Sequence, residues 1–173
     1  MPLIRPATLE DAPAIARVHV DTWRTTYAGI VPDEHLAKLN YERSQARWQE
    51  HLAEHPEQAA YVAEEPPGRV VGFTSCGTIR EPVGDVEGEL YGIYILKEFQ
   101  GRGIGRSLVR QVALHLAEQG FHPMALWALK DNPACGFYER LGGSLAAERT
   151  IEIGGKTLPE VAYAWPDLTV LCR

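Results

Sequence analysis

Residues 100–105 have the composition of a loop that binds an anion. They read Gln-Gly-Arg-Gly-Ile-Gly, with glycine at three alternate positions. Because glycine has no Cβ, the backbone N–H groups of such a loop can turn toward a phosphate without a steric clash. An apolar run precedes the loop at residues 90–96, and an amphipathic helical pattern follows it from about residue 104 to residue 118. The start of that helix adds unpaired N–H donors and a positive dipole end, so we predict an anion site at this junction.

Two common nucleotide-binding patterns do not fit this loop. A dinucleotide fingerprint that starts at Gly101 would need a third glycine at position 106, where the chain has Arg106. A P-loop would need glycine at position 100 and lysine at position 106, and the chain has Gln100 and Arg106 there. The anion is therefore predicted to belong to another class of ligand.

A second block of sequence lies downstream of the loop. Residues 124–129 read Met-Ala-Leu-Trp-Ala-Leu, and Asn132, Phe137, Tyr138 and the pair Leu141-Gly142 follow in that order. The pattern Gln/Arg-x-x-Gly-x-Gly/Ala between a strand and a helix, followed by this block, resembles the GNAT family, the Gcn5-related N-acetyltransferases. The resemblance covers about residues 3–165, although the first eighty or so residues match in pattern more than in motif.

The resemblance implies a single N-acetyltransferase domain over residues 1–173, of mixed α/β class. Its expected fold is a central, mostly antiparallel sheet of about six to seven strands, splayed at two central parallel strands and flanked by helices. Acetyl-CoA is the implied co-substrate, held by the pyrophosphate loop and by the unpaired backbone of the first splayed strand. The residues implied in binding it are Ile93, Tyr94, Ile95, Gln100, Gly101, Arg102, Gly103, Ile104, Gly105, Arg106, Asn132 and Tyr138.

Tyr138 matches the position of the general acid in this family. A phenol has a pKa near 10 and a thiol a pKa near 8.5, so proton transfer to a departing thiolate needs little perturbation of either group. The alternative is that a tyrosine at this helical spacing fills the core. Asn132 stands directly before Pro133, which also suits a helix N-cap followed by proline at the first helical position.

The general base is implied at Glu89, near the start of the strand that leads to the loop. An alkylamine with a pKa near 10.4 costs roughly 4 to 5 kcal/mol to deprotonate at pH 7, so an acceptor or local desolvation is required. Glu87 is a second candidate. The alternative is that Glu89 is an ordinary surface or edge-strand carboxylate.

The resemblance also implies that the N-terminal helices build the acceptor pocket. Trp23 and Tyr27 share a helical face with His19, and Tyr91 and Tyr163 are expected to approach from strands. Aromatic residues at helical spacing form core more often than pocket, so packing is the competing interpretation, and His19 is expected to be a packed, hydrogen-bonded histidine.

Composition limits the class of protein. The 173 residues are 45% apolar and 23% charged, which is ordinary for one globular domain. A net charge of −6 argues against a nucleic-acid partner and is compatible with a cationic amine substrate. Without a signal core or a long apolar run we expect a cytoplasmic protein that does not span a membrane. Three cysteines without metal-ligand spacing indicate free thiols and no metal site.

The elements that must position these residues follow from periodicity and turn residues. We predict strands at 3–6, 59–64, 70–79, 88–96, 124–129, 144–153 and 156–165. A first helix is predicted to start close to Pro13, after capping residues at 8–11, and to end at Gly29. Further helices are predicted at 32–39, 41–53 and 104–118, with a short helix that carries Tyr138. The last hairpin turns at Gly154-Gly155, and its exposed edge favours a homodimer.

The function predicted on these grounds is transfer of an acetyl group from acetyl-CoA to a primary amine of a small molecule, by direct attack with Tyr138 as general acid. One alternative acceptor is an amine of a protein or peptide. An alternative function is that of a non-catalytic acyl-CoA sensor that keeps the fold. O-acetylation, or transfer from a longer acyl donor, would use the same loop.

Overall fold

Seven strands and five α-helices make up the computed structural model, which describes residues 2–173. The strands are β1 (Leu3–Pro6), β2 (Ala59–Glu64), β3 (Val70–Thr78), β4 (Gly88–Ile95), β5 (Met124–Leu129), β6 (Ser144–Ile153) and β7 (Lys156–Trp165). The helices are α1 (Ala12–Thr26), α2 (Asp33–Ala37), α3 (Tyr41–Glu54), α4 (Ile104–Glu118) and α5 (Cys135–Arg140).

All strands lie in one sheet, in the order β1-β2-β3-β4-β5-β7-β6. Every neighbouring pair is antiparallel except β4 and β5, which are parallel. The parallel ladder is short: Gly88 lies opposite Met124 and Glu89 opposite Ala125, and no further residues of the two strands pair. The predicted mixed sheet with a splay between two central parallel strands is therefore confirmed.

The helices cover both faces of the sheet. Helix α4 packs against β2, β3 and β4, and α1 packs against α3 and against the opposite side of β3 and β4. The buried face of α4 carries Leu108, Val112 and Leu116, which are fully buried, while Ile15 and Val18 of α1 pack on Phe73. Each apolar stripe read from the sequence thus faces the sheet.

Most element boundaries agree with the sequence prediction to within one or two residues. The last hairpin turns where predicted, because Gly154 and Gly155 both have positive φ (59° and 79°), as a two-residue hairpin turn requires. Helix α1 begins at Ala12, close to Pro13 as predicted, and a short 3₁₀ turn at Leu9–Asp11 precedes it. Two helices differ: α2 is shorter than predicted, and α5 begins only at Cys135.

Within residues 2–173 no helix is long and apolar enough to cross a membrane. The same residues contain no cluster of three or more His, Cys, Asp or Glu side chains that could hold a metal ion.

Candidate active site

A cavity of about 650 Å³ opens where β4 and β5 separate. In an antiparallel pair, alternate residues direct their backbone N–H and C=O groups to the partner strand. Leu96 N donates to Val71 O, next to β3. Because the direction of the backbone groups alternates along the strand, Tyr94 also bonds to β3. The backbone groups of Ile93 and Ile95 are directed the other way, into the gap between β4 and β5. Of the three strand residues predicted to bind the co-substrate, all line the cavity, but only Ile93 and Ile95 offer it backbone groups.

The glycine loop closes one end of this cavity. Gly101 and Gly103 have φ values of 75° and 84°, in the left-handed region that glycine adopts without strain. Gln100 Nε2 donates to Ile95 O at 3.0 Å and so fastens the loop to the end of β4. Helix α4 starts directly after Gly103, which leaves the first N–H groups of the helix beside the loop.

Three cationic side chains line the cavity near the loop. They are Lys97, Arg106 and Arg140, and none of them forms a salt bridge within residues 2–173. The Arg102 side chain lies elsewhere: it is 3.6 Å from Glu65 and stacks on the Phe99 ring.

Ile104 was also predicted to contact the co-substrate, and its side chain is 1% exposed within a core cluster. Any contact that Ile104 makes with a ligand is therefore through its backbone. The exposed guanidinium of Arg102 is directed to Glu65 and Phe99.

Asn132 joins the far wall of the cavity to helix α1. Its Oδ1 accepts a hydrogen bond from Ala134 N at 2.8 Å, and its Nδ2 donates to Tyr27 Oη at 3.2 Å. The expected arrangement with Asn132 as N-cap and Pro133 as first helical residue is wrong, because α5 begins two residues later. Asn132 instead stabilises the turn before the helix and holds a phenol that lines the cavity.

Tyr138 lines the cavity and is 5% exposed. Burial raises the pKa of its phenol well above the ordinary value, with smaller contributions from the nearby Tyr94 and Cys135. The gap between the pKa values of phenol and thiol is thus wider than the sequence argument assumed. The phenol stays protonated throughout the neutral range and is available as a proton donor.

Glu89 lies outside this cavity, at the paired end of β4. It is 1% exposed, and its carboxylate accepts hydrogen bonds from Arg80 N (2.9 Å), Arg80 Nε (3.3 Å) and Arg80 Nη2 (2.8 Å). The Arg80 guanidinium also lies 4.1 Å from the centre of the Tyr91 ring. Glu89 therefore does not line the cavity that Tyr138 lines.

The predicted acceptor residues are dispersed. Tyr27 lines the cavity. Tyr91 donates to Thr78 O at 2.6 Å beside Arg80, and Tyr163 donates to Glu139 at 2.9 Å in the core on the α4 side. Trp23 packs on Tyr27 with ring centres 4.5 Å apart, and its Nε1 is buried without a hydrogen-bond partner.

His19 is packed, as expected. It lies 3.3 Å from Ser44 Oγ and 5.0 Å, centre to centre, from the Tyr94 ring. Burial lowers its pKa to about 4, with a smaller contribution from Arg47, so the ring is neutral at pH 7.

Sequence reasoning missed a polar wall of the cavity formed by one end of α1. Thr22, Thr25 and Thr26 line it, and the Thr22 hydroxyl is buried without a hydrogen-bond partner. Their spacing puts them on one helical face beside Tyr27, which was the available signal. Phe99 and Phe137 were likewise missed as lining residues.

Comparison with known proteins identifies the family to which the chain is similar. The family described as FR47-like protein matches residues 77–151. YuaI of Bacillus subtilis, an uncharacterized N-acetyltransferase, is 41% identical over 171 residues, covering 99% of this chain and 96% of its own. The aminoglycoside N(6')-acetyltransferase type 1 of Stenotrophomonas maltophilia is 29% identical over 80% of this chain and 87% of its own.

Solved structures share the fold. The PaiA N-acetyltransferase of Thermoplasma acidophilum, solved in complex with coenzyme A, superimposes with a TM-score of 0.73 at 19% identity, over 92% of this chain and 98% of its own. The chain therefore belongs to the GNAT family of N-acetyltransferases, as the sequence predicted, and it is an acyltransferase. Acetyl-CoA is the acetyl donor in this family.

Proposed function

We propose that this enzyme transfers the acetyl group of acetyl-CoA to a primary amine of a small molecule, with Tyr138 as the general acid. The observation that carries the proposal is that Tyr138, the open backbone edge of β4 and the glycine loop all line one cavity. A proton donor, a binding edge and an anion site are what thioester aminolysis requires side by side.

The residues of the cavity fit acetyl-CoA in chemistry. The loop from Gln100 to Arg106 offers backbone N–H groups to a pyrophosphate, and the free cations Lys97 and Arg140 add positive charge. Ile93 and Ile95 offer strand hydrogen bonds to the amides of a pantetheine arm. The unpartnered hydroxyl of Thr22 is a further polar group that a ligand with amides could satisfy.

Each side chain then has a defined task. Acetyl-CoA supplies the acetyl group as a thioester. A backbone N–H of the open β4 edge is directed at the gap and can polarise a carbonyl there. Tyr138 holds a proton for the leaving sulfur, and Asn132 holds Tyr27 at the cavity wall, where its ring limits the space for the acceptor.

The assignment of a small molecule as acceptor is supported by the cavity and by charge. The cavity is of the size that ligand pockets usually have, and a chain of net charge −6 favours the approach of a cationic amine. The relative from Stenotrophomonas maltophilia is named for an aminoglycoside, which is a small polyamine. A protein acceptor is the second candidate, since a relative from Haemophilus influenzae is named for the alanine of ribosomal protein bS18.

The general base stays a prediction. Glu89 was assigned to this task, and its carboxylate is bonded to Arg80 outside the cavity, so it would have to act through water. A cytoplasmic location and a homodimer also stay predictions from the sequence.

The test is release of free thiol from acetyl-CoA in the presence of polyamines, aminoglycosides, amino acids and peptides, beside calorimetric binding of acetyl-CoA. Thiol release that depends on a small amine supports the proposal and ranks its substrates. Release only with peptides would favour the protein acceptor. Binding without release across the panel would favour the sensor alternative, and no binding would overturn the assignment of the loop.

A further inference from the structure

Helix α1 carries a buried hydroxyl for which the protein provides no partner. Thr22 is 5% exposed and lines the cavity, and its Oγ1 makes no hydrogen bond within residues 2–173. Buried polar atoms are nearly always hydrogen-bonded, because an unpaired one has lost its bond to water without a replacement. Residues 2–173 contain four such side-chain atoms, and Thr22 is the one residue among the four that lines the cavity.

Thr25, one turn further along α1, shows the bond that a threonine hydroxyl ordinarily makes in a helix. Its Oγ1 donates to the backbone carbonyls of the preceding turn, at 3.1 Å from Asp21 O and 3.1 Å from Thr22 O. The Thr22 hydroxyl has no such bond in the part of the chain that the structure describes. The helix therefore satisfies one hydroxyl of the cavity wall and leaves the other for a ligand.

The polar groups of the acetyl donor have partners on other elements. The glycine loop and α4 suit its pyrophosphate, the open edge of β4 suits its amides, and Tyr138 of α5 faces its sulfur. Thr22 lies on α1, which packs against β3 and β4 from the side opposite α4. The part of the cavity along α1 is thus left for the second substrate, the amine.

The wall along α1 is polar and uncharged. It consists of Thr22, Thr25, Thr26 and Tyr27, and no carboxylate of residues 2–173 lines the cavity. A carboxylate beside the amine would favour the ammonium form, which has no lone pair for the attack. A hydroxyl oxygen can accept a hydrogen bond from the N–H of a neutral amine and leave the lone pair free. The wall therefore suits the reactive form of the acceptor.

We propose that Thr22 Oγ1 binds the acceptor amine by accepting a hydrogen bond from its N–H, and so directs the nitrogen lone pair to the thioester carbonyl. Thr22 takes up no proton in this step. The proposal rests on the transfer to an amine proposed above. The hydroxyl is unpaired in the free enzyme and gains its partner only when the acceptor is bound, so Thr22 reduces the stability of the free enzyme in favour of its function.

The first test is the sign of a change in stability. Thr22→Val replaces the hydroxyl by a methyl group of nearly the same size, and Tm of the free enzyme should stay unchanged or rise by about 1–3 °C. The matched control is Thr74→Val, because Thr74 is also fully buried but its Oγ1 donates to Gly92 O at 2.8 Å. Thr74→Val should lower Tm. An equal fall in Thr22→Val would show that its hydroxyl is bonded in the folded protein, which overturns the inference.

The second test is kinetic and uses the wild type, Thr22→Val and Thr22→Ser. Thiol release from acetyl-CoA is measured with spermidine, kanamycin and glycinamide, and the fastest of the three amines is used for all variants. In Thr22→Val we expect kcat/KM for the amine to fall about tenfold, while the calorimetric Kd of acetyl-CoA changes less than about twofold. Thr22→Ser keeps the hydroxyl and should stay within about threefold of the wild type.

Four kinetic outcomes would overturn the inference. An unchanged kcat/KM in Thr22→Val, with thiol release by the wild type intact, would mean that water satisfies the hydroxyl and would leave the proposed function standing. Weaker binding of acetyl-CoA in Thr22→Val would assign the hydroxyl to the pantetheine amides. Equal losses in the valine and serine variants would show that the shape of the side chain matters and the hydroxyl does not. Absence of thiol release by the wild type with every amine would overturn the inference together with the proposed function.

Discussion

Strand β4 has two unlike ends. At its closed end, Gly88 and Glu89 pair with β3 on one side and with β5 on the other. At its open end, Ile93 and Ile95 have β3 on one side and the cavity on the other. The closed end holds a fully buried carboxylate that is bonded to Arg80, and the open end faces a buried phenol, Tyr138, that is directed at the cavity.

The difference shows that one end of a strand can stabilise the fold while the other end lies at the site of the reaction. A carboxylate that accepts three hydrogen bonds from Arg80 is fully engaged, and it stabilises the β3–β4 loop and the end of the parallel ladder. Tyr138 has its ring packed in the core while it lines the cavity. A group that transfers a proton must be accessible from the cavity, as Tyr138 is. We therefore expect the reaction to take place at the open end of β4, while the closed end stabilises the fold.

Replacing Tyr138 by phenylalanine should have the largest effect. We expect kcat to fall about 10²- to 10⁴-fold, the usual contribution of a general acid, while the Kd of acetyl-CoA changes less than about twofold. Because burial raises the pKa of this phenol, the activity of the wild type should also show no loss from its ionisation up to about pH 10. Thiol release across pH and calorimetry provide the measurements.

The matched control is Tyr163→Phe. The Tyr163 ring lies 5.8 Å from that of Tyr138, but its hydroxyl is bonded to Glu139 on the core side. This variant should lose some stability and keep kcat within about threefold. Equal losses of kcat in the two variants would show that the open end has no special acid at Tyr138.

Removing the carboxylate at the closed end should affect stability first. Glu89→Gln breaks a buried charged contact, and we expect the free energy of unfolding to fall by about 1.5–3 kcal/mol in urea titration. If Glu89 only supports the fold, kcat should stay within about threefold and its pH profile should keep its shape. A loss of 10²-fold or more together with the acidic limb of that profile would establish Glu89 as the general base.

Arg80→Gln separates the two interpretations further. It leaves the Glu89 carboxylate in place and removes its partner, so it should destabilise at least as much as Glu89→Gln. The double variant should lose less stability than the sum of the single losses, because both report on one ion pair. Additive losses would mean that the Arg80–Glu89 contact contributes nothing of its own.

The sequence predicted what depends on neighbouring residues. The loop from Gln100 to Gly105 and helix α4 were located correctly, because glycine spacing and apolar periodicity are local signals. The splay of the sheet was predicted from the resemblance to the family. Contacts between distant segments could not be predicted from the sequence. Asn132 donates a hydrogen bond to Tyr27, which lies 105 positions away, and nothing in either segment specifies that pairing.

The tasks of single polar residues were the hardest to assign. Glu89 precedes the loop by eleven positions, which fits a catalytic carboxylate as well as a structural one. What decides its environment is Arg80, on the loop between β3 and β4, whose side chain folds back over Tyr91. Tyr91 and Trp23 look like pocket residues by spacing, but their surroundings are set by tertiary packing.

A smaller effect is expected from His19, which packs beneath the open end against Tyr94. Its pKa is about 4 in the folded chain and near 6.5 when unfolded, so the unfolded state binds more protons between these values. Its contribution to stability is full above pH 6.5 and is lost as the pH falls toward 4, with about 2 kcal/mol already lost at pH 5. Urea titrations at several pH values measure this loss.

His19→Gln should remove that part of the pH dependence, since glutamine does not titrate and can still bond to Ser44. The control is His122→Gln, which removes an imidazole from an exposed position and not from the packed site of His19. An unchanged slope in His19→Gln would mean that other groups cause the loss of stability in acid.

The smallest effect should come from the loop glycine that needs a positive φ. Gly103 and Gly120 have nearly the same φ, 84° and 85°, and no atom lies within 4 Å of a Cβ added at either position. Alanine should therefore cost each site about 1 kcal/mol of stability through backbone strain alone. Gly103 lines the cavity and Gly120 follows the far end of α4.

If the open end binds acetyl-CoA through loop N–H groups, only Gly103→Ala should weaken the affinity for acetyl-CoA, by about fivefold. The reason is that the ligand requires the backbone conformation with positive φ, and alanine favours another. Equal Kd values in the two variants would show that the glycine loop does not contribute to acetyl-CoA binding, and that the open edge of β4 binds acetyl-CoA without it.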